Sequence, residues 1–308
     1  MQTELYVSTA SIGGDSTEQL RAASLNDDER AVIQRFIKIT GHLQEIDGLF
    51  HVFRFNQRSI HHFYSVFDSD RVVCRVKYDF PTSDYIAINA LVINFISSGK
   101  TLIESVENFL KSRSHDVHAE FKTNYISKEY DEIFLYRLLT RLRDFAQHGH
   151  LPVSISDIDM YCFDLDRIIK TPRFNHNKKL EGDMIEIQKV IREKHYDRPK
   201  IALALALTQH GVSVTKIYLN FLKKTRVFFH EAADSVDSLI QNRPGIVNKS
   251  PGKLYGYLLY EEEGILLHAF DTKPNPRKVL SQRKNEVSEI LKEEQSELDR
   301  ISKSFIPL

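Results

Sequence analysis

Residues 143–150 read RDFAQHGH, between the run EIFLYRLLTRL (132–142) and the exit LPVS (151–154). Read at about 100° per residue, Leu135, Leu138, Leu139, Leu142, Phe145 and Ala146 fall on one face of a helix. Arg143, Asp144, Gln147 and His148 fall on the opposite arc, at its carboxyl end. Gly149 and Pro152 supply stop signals just beyond. A single helix end thus gathers an arginine, a carboxylate, an amide and an imidazole on its polar side.

Working outward, the chain of 308 residues is long enough for one large domain or two ordinary ones. Forty-two basic and forty-two acidic residues cancel. Any nucleic-acid contact therefore has to be local, a cleft or patch rather than a basic surface. Cys74 and Cys162 are too few for a disulfide framework and lack zinc spacing, which fits a reducing compartment. MQTELYVSTASIGGDSTEQL (1–20) has no basic region followed by an apolar run, so it does not read as a signal peptide. YIAINALVINFI and IALALAL fall short of the ~20 residues a bilayer span needs. The expectation is a soluble, cytoplasmic chain.

Gly13, Gly14 and their small polar neighbours suggest a loosely packed lead-in over the first two dozen positions. Helical spacing follows from Asp27 to about Ile46, while HVFRFNQRSIHHFYSVF (51–67) and RVVCRVKYDF (71–80) fit strands or short helices equally. From Ser83 or Asp84 to about Leu110, apolar residues cover most of the circumference, as in a buried helix. A second helix is expected from about Lys128 to His148, and others over Asp157–Ile169, Leu180–Glu193 and Val212–Leu239. KLYGYLLYEEEGILLHAF (253–270) reads as a hairpin, and about Pro276 to Ser304 as a charged helix with a narrow apolar stripe. The expected organisation is an N-terminal region over 1–82, helical with possible short strands, a helical domain over 83–245, and a hairpin plus charged helix over 246–308.

The polar arc matches what RNA cleavage without a metal requires. A 2′-hydroxyl must lose a proton as it attacks phosphorus, and the leaving oxygen must gain one; a histidine titrating near neutrality serves either step. An arginine fork meets the charge that builds on the phosphoryl oxygens. Asp144 and His148 are four apart, close enough for a carboxylate to orient an imidazole. The bland reading of the same residues is an exposed helix end, where a histidine in the last turn is favoured by the helix dipole by ~0.3–1 kcal/mol.

Arg143 to His148 resembles the R-x4-6-H motif of HEPN domains, all-helical proteins of which many are metal-independent endoribonucleases. INALVINFISSGKTLIESVENFLK (88–111) looks like the long second helix of that group, with Asn94 expected in its core, and the run into HGHLPVS looks like its motif helix and exit. The resemblance covers roughly residues 83–240. With the hairpin read above, the expected fold is mainly α, a HEPN-like bundle with a small hairpin-containing C-terminal annex; the resemblance does not account for the first 80 or the last 60 residues. The resemblance implies a toxin or anti-phage role. It also implies an RNA substrate, no metal or other cofactor, a homodimer with facing motif helices, and control by an antitoxin or other regulatory protein. Arg143, His148 and Asp144 would be the catalytic residues, and Gln147, His150 and Asn94 would contact substrate. Some HEPN toxins carry a tyrosine two residues after the motif histidine as a site of inactivating nucleotide transfer; His150 stands there, so that form of control does not carry over.

Two other readings remain open. One is an inert HEPN-like module that binds RNA, nucleotide or a partner protein. The other is a metal hydrolase built on His115, His118, His148 and His150, whose spacing lacks an H-E-x-x-H frame. Neither a Gly-rich phosphate loop nor a G-x-S-x-G elbow is present.

Overall fold

A computed structural model describes residues 3–10, 17–68, 84–155, 161–171, 178–193, 200–242, 253–261, 266–270 and 276–304. Among the described residues the protein is mainly helical, with two small antiparallel sheets. The chain divides into two compact units, Met1–Glu45 with Leu222–Glu286, and Ile46–Phe221 with Val287–Leu308.

The first unit contains a sheet that the sequence half announced. The expected hairpin is present as β6 (Lys253–Glu261) and β7 (Leu266–Phe270). Its second neighbour is β1 (Thr3–Ala10), paired antiparallel from Thr3 opposite Glu261 to Ala10 opposite Lys253. The sheet closes with β2 (Thr17–Leu25), in the order β2-β1-β6-β7. Within the segment expected as a loose lead-in, Thr3–Ala10 and Thr17–Leu25 are therefore strands, and Gly13 and Gly14 lie outside the described residues. A two-stranded hairpin is marginal alone, and β1 gains its third strand from the far end of the chain. In the same unit, helix α1 (Asp27–Asp68) starts on a reciprocal cap: Asn26 Oδ1 accepts from the Glu29 amide at 2.9 Å, and Glu29 Oε2 from the Asn26 amide at 3.0 Å. Phe36 of α1 meets Phe229 of α8 (Leu203–Gln241) with ring centroids 6.3 Å apart.

The second unit holds the motif helix. α1 continues without a break through 51–67, which settles that ambiguous stretch as helix; RVVCRVKYDF (71–80) lies outside the described residues. After α2 (Asp84–Arg113) come α3 (His115–Phe121), a π-helical turn (Lys122–Ser127), α4 (Lys128–Glu132) and α5 (Phe134–Gln147). The single helix expected from Lys128 thus bends at Ile133, whose φ of −104° and ψ of 100° are extended. Where Asp157–Ile169 was expected to be helical, β4 (Tyr161–Asp164) precedes a short α6 (Leu165–Ile169). β4 pairs with β3 (Ser154–Ile155) and β5 (Lys200–Ala202), so long-range pairing overrides the local helical spacing. α7 (Lys178–Glu193) and α9 (Pro276–Ser304) match their expected extents closely.

The unit's core is aromatic. Phe50 stacks on Tyr218 at 4.3 Å, Phe53 on Phe95 at 4.9 Å, and Phe109 meets Phe221 edge to face at 5.5 Å. α2 is the one described helix long and apolar enough to cross a membrane by length and composition, beyond what its separate apolar runs suggest. Half of its most apolar window is buried inside the protein, including Ile88, Val92, Phe95, Ile96 and Leu102. Its apolar surface serves the helical core.

Polar residues knit α1, α8 and α9 within this unit. Arg54 forms a buried ion pair with Glu294 and donates to Gln57 Oε1 at 2.6 Å. Burial pushes the Glu294 carboxyl up and the Arg54 guanidinium down, and each opposes that shift in the other. Gly211 of α8 lies where any Cβ would strike Gln57 Nε2 and stand 3.5 Å from Glu294 Oε1. Replacing Glu294 by Ala leaves a buried guanidinium unpaired, a change that typically costs ~3–5 kcal/mol. Urea unfolding should show Glu294→Ala with a clearly lower midpoint than wild type, and Gly211→Ala destabilised through the same cluster.

Candidate functional site

α5 presents the amphipathicity expected of it. Leu135, Leu138, Leu139, Leu142 and Phe145 are buried, whereas Arg143 and Asp144 are partly exposed and Gln147 and His148 exposed. Arg137, on the same helix, is buried to 2% exposure. Its Nη1 donates to the carbonyls of Tyr130 and Asp131, both at 2.8 Å, and its Nη2 pairs with Asp183 of α7. Those carbonyls belong to the last turn of α4, which has no intrahelical donors for them. One guanidinium thus fastens α4, α5 and α7.

The helix stop is equally specific. Gly149 has φ +87°, a left-handed conformation that glycine adopts without a Cβ penalty. The Gly149 amide donates to Ala146 O at 3.0 Å and the His150 amide to Phe145 O at 3.4 Å, the bond pair of a Schellman turn. His150 completes it by resting its ring 4.8 Å from that of Phe145. This packing gives His150 a structural task besides the expected substrate contact.

Beyond the turn the exit peptide is bolted down. Val153 N donates to Asn89 Oδ1 at 2.9 Å, Tyr85 OH donates to Val153 O at 3.0 Å, and Arg167 Nη2 donates to Leu151 O at 2.6 Å and Pro152 O at 2.9 Å. Asn89 Nδ2 donates in turn to Tyr85 O at 2.9 Å. Here the structure corrects the sequence reading. Asn94 is exposed, and the in-core asparagine of α2 is Asn89, 1% exposed. Asn89 stands three and seven residues before Val92 and Ile96, on the buried face, and that spacing was the available signal. Tyr85 and Arg167 carried no sequence signal for this role.

The four polar residues of the arc do share one helix end, but Asp144 is not joined to His148. Its carboxylate pairs instead with Arg143 Nη1 at 3.7 Å and Arg141 Nη1 at 3.9 Å. Arg141 is itself held by Tyr130, whose hydroxyl accepts from Nε at 2.8 Å beneath the guanidinium. Arg143 Nε is buried with no hydrogen-bond partner among the described residues. No cluster of three or more His, Cys, Asp or Glu could share a metal among the described residues, and His118 contacts Glu107 at 3.3 Å.

Asp144 and Arg141 also border a cavity of about 500 Å³ between α2, the π-helical turn, α4, α5 and α8. Its lining includes His210 and Tyr136, both buried, with rings stacked at 5.3 Å. Burial pushes His210 down to about 3 and Tyr136 up. His210 is therefore neutral in the folded protein at neutral pH. A histidine with a depressed folded pKa binds fewer protons folded than unfolded. Its contribution to stability is complete above the unfolded pKa near 6.5 and falls away as the pH drops towards 3. His210→Phe, of similar shape, should therefore lose less stability than wild type between pH 6.5 and 4, a difference of up to a few kcal/mol. Unfolding midpoints measured across that range check this.

Compared with known protein families, curated proteins and solved structures, the chain matches none.

Proposed function

We propose that the protein is a metal-independent endoribonuclease of HEPN type that cuts RNA through attack of the 2′-hydroxyl. The observation that carries the reading is the end of α5, where Arg143 and His148 stand on the side opposite the buried leucines, just before a glycine turn. His148 acts there as general acid or base. Arg143 supplies guanidinium donors to the scissile phosphate, where charge develops in the transition state. Selectivity for RNA follows, because DNA has no 2′-hydroxyl to act as nucleophile. Asp144 positions Arg143 rather than His148, given its 3.7 Å pairing with that guanidinium.

One α5 supplies one arginine and one histidine. A two-fold homodimer with facing motif helices would double both without further sequence, giving a composite cleft. The family resemblance extends this to a cytoplasmic toxin or anti-phage effector restrained by an antitoxin or other regulator. A competing reading is an inert HEPN-like module that binds RNA, nucleotide or protein. Its support is that no described carboxylate holds the His148 imidazole, and that acidic and basic residues balance.

Cleavage assays separate the two. Purified protein should cut single-stranded RNA or tRNA in EDTA and leave 2′,3′-cyclic phosphate or 3′-phosphate ends. Loss of an acid–base group costs ~10²–10⁴ in rate, so His148→Ala should abolish visible cleavage. Arg143→Ala should nearly do so, and Asp144→Asn should do less harm. All three variants should fold, since none of these residues lies in the core. Intact RNA on both substrates, with wild type and His148→Ala indistinguishable, would leave the inert module.

Light scattering tests the dimer separately. The mass should be about twice the 35.8 kDa of one chain. A monomer with full activity would remove the composite cleft.

A further inference from the structure

Arg143 has a neighbour on α5 that the motif does not include. Arg141, Asp144 and His148 follow one another at steps of three and four residues, which places them on one face of the helix, with Arg143 off that row. The Asp144 carboxylate is flanked by both guanidiniums. Its Oδ1 is 3.7 Å from Arg143 Nη1, and its Oδ2 is 3.9 Å from Arg141 Nη1. Both distances exceed a hydrogen bond, so the carboxylate sits beside two cations without bonding to either. It is half exposed, and no hydrogen bond holds its oxygens among the described residues.

Arg141 is the better fixed of the two cations. Its Nε donates to the Tyr130 hydroxyl at 2.8 Å, and its guanidinium carbon lies 5.8 Å from the centroid of that ring. Tyr130 belongs to the turn of α4 that Arg137 fastens through the Tyr130 carbonyl. Arg141 is therefore anchored at Nε, while its Nη atoms have no hydrogen bond among the described residues.

The carboxyl end of a helix carries partial negative charge, which favours arginine and repels phosphate. A single arginine there is a weak anion contact. Two guanidiniums that reach one point double both the charge and the donors offered to it. The group at that point is now Asp144, an anion with two acceptor oxygens. We propose that Arg141 and Arg143 together hold one RNA phosphate, and that Asp144 fills their common place until the phosphate displaces it. That the ligand is RNA rests on the nuclease reading. A phosphate seated there lies one helical turn before His148, the acid–base group of that reading. In the empty site Asp144 keeps the two arginines together, and its charge then opposes the incoming phosphate. The residue therefore sets affinity as well as position.

Binding is measured apart from cutting, by fluorescence anisotropy of a labelled 12-nucleotide RNA on the full chain carrying His148→Ala, from about 50 to 200 mM salt. Asp144→Asn keeps the shape and removes the charge, and should tighten binding about two- to fivefold, the range of an exposed ionic contact. Arg141→Gln should weaken binding by a similar factor or more. It should also flatten the fall of log affinity with log salt by about 0.7, the share of one cationic contact to a single strand. Glu193→Gln, which removes an exposed carboxylate on α7, should change neither. With His148 restored, Asp144→Asn should lower KM, whereas loss of a carboxylate that only positions Arg143 lowers kcat and leaves KM unchanged. Asp144→Asn breaks no hydrogen bond among the described residues, so it decides the matter even if Arg141→Gln lowers the thermal midpoint.

Asp144→Asn that binds no tighter than its parent, or no tighter than Glu193→Gln, overturns the proposal. So does a folded Arg141→Gln that keeps both affinity and salt slope, or a parent that binds no RNA at millimolar concentration. A chain that cuts RNA yet gives one of these results keeps the nuclease reading and loses the shared phosphate. A chain that gives the expected shifts yet never cuts loses the nuclease reading and keeps the phosphate site.

Discussion

The helix that carries the polar arc is held by an arginine that no substrate could reach. Arg137 sits among buried leucines with its guanidinium committed to two α4 carbonyls and to Asp183 of α7. A charge so placed is tolerated only when it is paired. The pairing has a geometric consequence. The chain bends at Ile133 between α4 and α5, and without a fixed partner across that bend the two helices could pivot. Arg137 ties the last turn of α4 to the second turn of α5. The direction in which α5 points, and so the position of Arg143 and His148, follows from that tie.

At the other end of α5 the constraint is backbone rather than charge. Gly149 turns left-handed, and the two amides beyond His148 return to the helix. Asn89 then spans two segments, accepting from Val153 and donating to Tyr85 O, so the exit peptide is fixed to α2 as firmly as one helical turn is to the next. The outcome is a motif helix clamped at both ends with its polar arc left over. Rigid support beneath a small exposed set of charged groups is what precise positioning demands. His150 adds to that support by capping the turn against Phe145.

Much of this was legible in the sequence, and the exceptions share a cause. The spacing of leucines in α5 and of isoleucines and phenylalanines in α2 specifies those helices locally, and the Gly149–Pro152 stop specifies the exit. Hydrophobic spacing cannot reveal a partner far along the chain. β1 and β2 looked like a lead-in because the strand that completes them, β6, lies near the other end. Residues around Tyr161–Asp164 looked helical because β5, their partner, is separated from them by α6 and α7. Asn94 was misplaced for a different reason. On a helix apolar nearly all round, a polar residue can be assigned to the core or to solvent, and only the three- and seven-residue steps from Asn89 to Val92 and Ile96 separate the two asparagines.

The contrast among three arginines on α5 carries the site argument furthest. Arg137 uses its Nη atoms on two backbone carbonyls and on the half-buried Asp183, and its Nε has no partner among the described residues. Arg141 gives its Nε to the Tyr130 hydroxyl and lies over that ring. Arg143, two residues on, pairs with Asp144 at 3.7 Å, longer than a hydrogen bond, and its Nε has no partner among the described residues. Yet three-quarters of its side chain is covered, so it is not simply a solvated surface charge. Of its nitrogens only Nε is buried without a partner, which leaves the Nη atoms for a group that supplies acceptors in bulk. A phosphate does so, with oxygens spaced to match the fork. The same helix therefore contains one arginine whose Nη donors the fold uses, one held through its Nε, and one with no hydrogen bond among the described residues, and that last is the arginine that stands five residues before His148.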